Sequence, residues 1–184
     1  ALANDTTGGQ TAVGYKALTT NTTGDYLTAV GYNALELNTT GSKNTSFGYK
    51  SLEDNTTASF NTAVGYIALN TNTTGAENTA VGSNALTSNS TGSYNVAVGV
   101  NALEDNTVDG NTAIGYKALT ENTTGSNNTA VGKEALKVNT TGLLNTAVGR
   151  SALIANTTAS YNVAVGEGSL EANTTGALNT AIGR

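Results

Sequence analysis

Cysteine, histidine, methionine, tryptophan and proline are all absent from the 184 residues of this chain. Without Cys there is no disulfide framework and no thiolate metal site. Without His the chain lacks the commonest general base and the commonest transition-metal ligand. The missing Met predicts a processed product or a segment of a longer chain. No apolar run approaches the roughly 18 residues of a membrane-spanning helix, so no membrane insertion is expected of this segment. No signal peptide is visible either, and secretion would require a signal outside it. Charge is also scarce, at 11% of residues with a net value of −5. There is no basic stripe to follow phosphates, which argues against a nucleic-acid partner.

What is present is repetition. The phrase Asn-Thr-Ala-Val-Gly begins at Asn61, Asn78, Asn128 and Asn145, with variants at Gln10, Leu27, Asn44, Asn95, Asn111, Asn162 and Asn179. Every step is 17 residues except the 16 from Asn95 to Asn111. A unit this short cannot bury a core alone, so each copy must be one coil stacked on its neighbours. The expected fold is therefore all-β: a parallel β-solenoid of about ten coils, residues 1–184 forming a single repeat domain. With coils about 4.8 Å apart, ten of them make a rod of about 50 Å.

The repeat can be read by column, taking Asn61 to Glu77 as one coil. The fourth position is apolar throughout (Val13, Val30, Phe47, Val64, Val81, Val98, Ile114, Val131, Val148, Val165, Ile182), and the ninth is always Leu, from Leu18 to Leu170. These two columns are the expected interior. The second position is Thr or, at Val96 and Val163, Val. By strand alternation it should share the face of the fourth, buried or half-buried beside it. The third and eighth positions hold only Ala or Ser. Another backbone must approach closely there, from the opposite wall or from a second chain. Gly14 and its equivalents never vary, which predicts a bend with positive φ or no room for a side chain. The Asn-Thr-Thr-Gly stretch reads as a corner. Its glycine gives way to Ala58 and Ala159, so positive φ is not required there. The 16-residue coil loses its residue at that corner, where a deletion is tolerated best.

These residues resemble the head repeats of YadA-like trimeric autotransporter adhesins, most closely at Asn95-Val96-Ala97-Val98-Gly99 and Asn162-Val163-Ala164-Val165-Gly166. The period here is longer, by the added Asn-Thr-Thr-Gly corner. The Asn-Thr-Ala-Val-Gly-Tyr-x-Ala-Leu form is also similar to repeats of phage tail-fibre-like and bacterial surface-fibre proteins. The resemblance implies a left-handed β-roll, a homotrimer of parallel chains and an extracellular, cell-surface or virion-fibre location. It transfers no catalytic or binding residue.

Four chemical signals remain. Glycosylation sequons recur at Asn21, Asn38, Asn55, Asn72, Asn89, Asn122, Asn139, Asn156 and Asn173, with further copies at Asn4 and Asn44. They mark either acceptors for a sheath of sugars or a ladder of stacked amides. Thr-rich columns raise an ice-binding alternative, disfavoured if the strand Thr faces inward. Glu53–Asp54 and Glu104–Asp105 with Asp109 are calcium candidates, better read as solvated charge. Tyr15, Tyr32, Tyr49, Tyr66 and Tyr116 share a column with Ser, Val, Lys, Arg and Glu, so they form an exposed candidate contact stripe for a glycan, a receptor or a neighbouring fibre. No cofactor and no enzymatic activity are expected. The reading is a structural segment of an extracellular fibre, setting length and stiffness, with adhesion as an added role.

Overall fold

A computed structural model describes residues 8–184. It is an all-β parallel solenoid of about ten turns with no helix among the described residues. Eleven three-residue strands stack in sequence order: β1 Thr11–Val13, β2 Thr28–Val30, β3 Thr45–Phe47, β4 Thr62–Val64, β5 Thr79–Val81, β6 Val96–Val98, β7 Thr112–Ile114, β8 Thr129–Val131, β9 Thr146–Val148, β10 Val163–Val165 and β11 Thr180–Ile182. Each column pairs with itself, as Thr62 with Thr79 and Val64 with Val81. Register survives the short coil, where Val96 pairs with Thr112. The lost residue is absorbed in the corner, and the ladder resumes in phase.

Only one wall is regular strand, yet the other walls are laddered too. Leu69 N–H donates to Ala85 O at 2.9 Å, Thr73 N–H to Ser90 O at 2.9 Å and Glu77 N–H to Ser59 O at 3.2 Å. These bonds satisfy corner amides that a three-residue strand leaves unpaired.

The interior departs from expectation in one respect. The Leu column is buried, Leu18 through Leu153 having no exposed surface, and so are the Ala columns of the third and eighth positions. The Val and Thr columns are not inside. Along interior strands such as β4 the order is half-buried Thr62, buried Ala63, half-buried Val64. Phe47, Ile114 and the terminal Val13 and Ile182 are exposed outright. Ala faces the lumen and Thr and Val face out. The reason is width: the two walls lie so close that only small side chains fit between them. Ser46 and Ser51, from the third and eighth columns of one coil, meet across the lumen with hydroxyls 2.6 Å apart. The small-residue columns thus pack wall against wall within a coil.

The invariant glycines follow each strand with φ between 118° and 144°. A Cβ on Gly65 would lie 2.4 Å from Gly82 O in the next coil. Both parts of the expectation, positive φ and no room, hold at this bend. The corner after it is more unusual. Every Leu of the ninth column sits at φ between 50° and 55°, and the seventh-column residue two positions earlier is left-handed as well, as at Ile67 and Lys117. Such a conformation is rare outside Gly, Asn and Asp. The ladder bonds and the burial of Leu hold it in place.

Candidate functional site

The sequon asparagines line the inside of the rod. Asn38 Nδ2 donates to Asn21 Oδ1 in the preceding coil at 2.9 Å and to Gly41 O at 3.0 Å. Asn55, Asn72, Asn139 and Asn156 repeat the pattern, each taking an amide oxygen one coil back and a carbonyl three residues on. Asn21, Asn38, Asn55, Asn72, Asn89, Asn122, Asn139 and Asn156 are completely buried, and Asn173 in the last coil is half-buried. An amide with no exposed surface whose two N–H groups are both donated has neither a free nitrogen nor space for a sugar. Asn44 is buried likewise, its Nδ2 on Ala58 O at 2.7 Å. Asn4 lies outside the described residues.

A second ladder went unrecognised in the sequence. The Asn that opens each coil accepts, through Oδ1, the backbone N–H of its counterpart one coil on, as Asn61 N–H to Asn44 at 2.9 Å and Asn78 N–H to Asn61 at 3.0 Å. Its Nδ2 reaches the corner carbonyl of its own coil, Asn61 to Gly75 O at 2.9 Å. Strand and corner are thereby tied together across each turn. The signal was available: this position is Asn in every copy from Asn44 onward, with Gln10 and Leu27 before it.

The ladder of sequon amides has one gap, at the short coil. Asn106 Nδ2 turns to Val108 O at 2.7 Å, and Asn89 Oδ1 is left buried without a partner. Below the gap the chain re-forms through Asn122 Nδ2 on Asn106 Oδ1 at 2.7 Å.

The exposed surface carries the remaining candidates. Tyr15, Tyr32, Tyr49 and Tyr66 stack face to face, with ring centroids 5.0, 5.3 and 5.3 Å apart and planes within 17°. Tyr116 stands apart from them, with Lys117 and Lys133 over its ring. At the other end of the strand lies a column whose apolar content sequence reading missed. It holds Tyr26, Phe60, Tyr94, Leu144, Tyr161 and Leu178, all exposed, interspersed with Lys43, Glu77 and Asn127.

The acidic candidates serve local structure. Burial by itself would raise the Glu53 pKa, but hydrogen bonds from Asn33, Asn70 and Lys50 outweigh it and hold the carboxyl below its usual range. Burial and the neighbouring Glu53 charge push Asp54 up. Asp109 Oδ1 accepts the Ser93 N–H at 2.7 Å, and Glu104 accepts from Asn101 Nδ2. Among the described residues no three acidic, His or Cys side chains gather in a way that could hold a metal ion.

These features define the class: a β-solenoid repeat protein with 17-residue coils and internal asparagine ladders. No family model, curated protein or solved structure matches the chain.

Proposed function

We propose that this chain is a non-enzymatic structural segment of an extracellular fibre, at a cell surface or on a virion. In this reading three copies, each a left-handed roll, pack side by side. The observation that carries it is the outward column from Val13 to Ile182, running the whole length of the sheet beside the Thr column. A strip of two side-chain columns along a rod of about 50 Å presents roughly 500 Å². About half of that strip is the apolar column and the rest is Thr, and a continuous apolar stripe along a rod marks an interaction site. The column of Tyr26, Phe60, Tyr94, Leu144, Tyr161 and Leu178, on one side of the strand, extends it. A parallel in-register surface is self-complementary along its length, which suits copies lying alongside one another. The resemblance to trimeric adhesin heads supports three chains. Fully buried, bonded sequon amides lend no support to a sugar sheath.

The test is sedimentation velocity on the wild type and on a Val64→Glu, Val131→Glu double variant. The wild type is expected to sediment as a trimer. The variant should sediment as a monomer with an unchanged far-UV spectrum, because both positions face away from the core. A monomeric wild type at micromolar concentration would defeat the reading.

The outward Thr column favours one second reading, ice binding, since the reason to disfavour it was an inward Thr. Val96, Val163 and the bulky Phe47 interrupt such a face. No thermal hysteresis is the expected result. A measurable freezing gap that disappears in Thr62→Lys, Thr79→Lys would transfer the assignment to ice.

A further inference from the structure

The tyrosine ladder stops abruptly, and its last ring is open. Tyr66 stacks on Tyr49, but the next coil supplies Ser83 in the same column, and Val100 follows. Among the described residues no ring other than Tyr49 and no cation lies over Tyr66, whereas Lys16 lies over Tyr15 and Lys50 over Tyr49. Exposure records the difference: 45% and 42% for the inner Tyr32 and Tyr49, against 55% for Tyr66. The rung below is fixed to the ring's own backbone, since Asn84 N–H donates to Tyr66 O at 3.0 Å.

The vacant rung has a definite chemistry. Its floor is Ser83, with Oγ 3.5 Å from Asn84 Oδ1, and Asn84 Nδ2 donates to no protein acceptor among the described residues. Beneath it Asn101 N–H reaches Ser83 O at 3.0 Å, and Val100 is exposed. Across these three coils the sixth and seventh columns read Tyr66-Ile67, Ser83-Asn84 and Val100-Asn101, with no charged residue. One aromatic face, one hydroxyl and one amide, with no cation and with the Glu104 carboxylate held on Asn101 one coil below, suit an uncharged ligand with an apolar flat side and a rim of hydroxyls.

We infer that the gap between Tyr66 and Ser83 is a binding subsite for a neutral pyranose ring of a glycan. The sugar's C–H face lies on the electron-rich face of Tyr66, continuing the stack by one ring. Its hydroxyls accept from Asn84 Nδ2 and exchange hydrogen bonds with Ser83 Oγ. An anionic sugar gains nothing here, because no cation borders the slot. With one platform and few polar contacts, affinity for a single sugar is on the order of millimolar, and useful strength comes from repeated copies along a fibre. The subsite rests on the proposed fibre role and adds an adhesive function to it, with the ligand class named.

Saturation-transfer NMR of the full chain with methyl β-glucopyranoside provides the test. Transfer is expected to the axial protons of one sugar face. Ser83→Tyr fills the rung and lengthens the tyrosine stack, so it should weaken binding about tenfold while leaving the far-UV spectrum intact. Tyr66→Ala should do the same by removing the platform. Undiminished transfer in Ser83→Tyr, or none in the wild type, overturns the subsite. Displacement of the glycoside by equimolar phenol overturns the sugar assignment in favour of aromatic ligands. Sedimentation of the same samples reports association separately, so a failed subsite and a failed trimer are distinguishable.

Discussion

Gly65→Ala is expected to destabilise the rod by about 3–5 kcal/mol, the range reserved for backbone conflicts that cannot relax. Two costs coincide at this position. The new Cβ meets Gly82 O at 2.4 Å, an atom of the next coil's backbone that cannot rotate away. The residue also holds φ at 142°, which no L side chain adopts without strain. For a chain of this size the loss amounts to a fall in melting temperature of roughly 6–20 °C. The comparison is Gly75→Ala, the corner glycine. There too an added Cβ approaches the neighbouring carbonyl, Gly92 O at 2.2 Å, but φ is not positive. The same column already accepts Ala58 and Ala159, both buried, so the corner relaxes to admit a methyl. Gly75→Ala should cost about 1 kcal/mol. Equal thermal shifts for the two variants would show that crowding alone, rather than the left-handed bend, requires the invariant glycine.

Asn72→Ala should cost a similar amount through a different mechanism. The amide donates to Asn55 Oδ1 and Gly75 O, both at 2.9 Å, and accepts from Asn89 Nδ2 at 3.3 Å. Gly75 O keeps a second donor in Asn61. Asn55 Oδ1 loses its ladder donor, and one N–H of Asn89 is left without an acceptor in a sealed interior. Each of the two stranded groups costs about 1–3 kcal/mol, so a total of about 2–6 kcal/mol is expected. Thr74→Ala, at an exposed corner position of the same coil, should stay within about 0.5 kcal/mol. Because coils contact only their neighbours, the damage should be local. Native-state hydrogen exchange should show lost protection from about residue 52 to residue 95, with the far coils unchanged. The gap at Asn89–Asn106 lies just beyond, and the weakened stretch is expected to extend toward it rather than away.

Both expectations concern columns, and columns are what repetition makes legible. Copies within one chain act as an internal comparison, so constraint at a position can be seen without any second sequence. The period, the coil count, the buried Leu, the bent Gly and the tolerant corner could all be read this way. So could the Tyr stripe's exposure, from the Lys, Arg and Glu that share its column. The opening Asn column was equally constant and was overlooked, because Asn before a strand reads as a turn residue rather than as a buried ladder.

Three decisions belonged to the packed coil. The strand is three residues long, and alternation says only that Thr and Val share a face opposite Ala. The width between walls puts Ala inside, as Ser46 against Ser51 shows, and turns the β-branched columns into outer surface. The left-handed Leu is the second. No side-chain property of Leu calls for φ near 50°; closing so narrow a loop with that residue inside does. The third is the fate of the sequon, whose two residue types fit a sugar acceptor and a buried ladder equally well. Only the stacking of one coil on the next placed those amides within hydrogen-bond reach, 2.9 Å between Asn72 and Asn55 and 3.3 Å between Asn89 and Asn72, with the N–H groups already bonded.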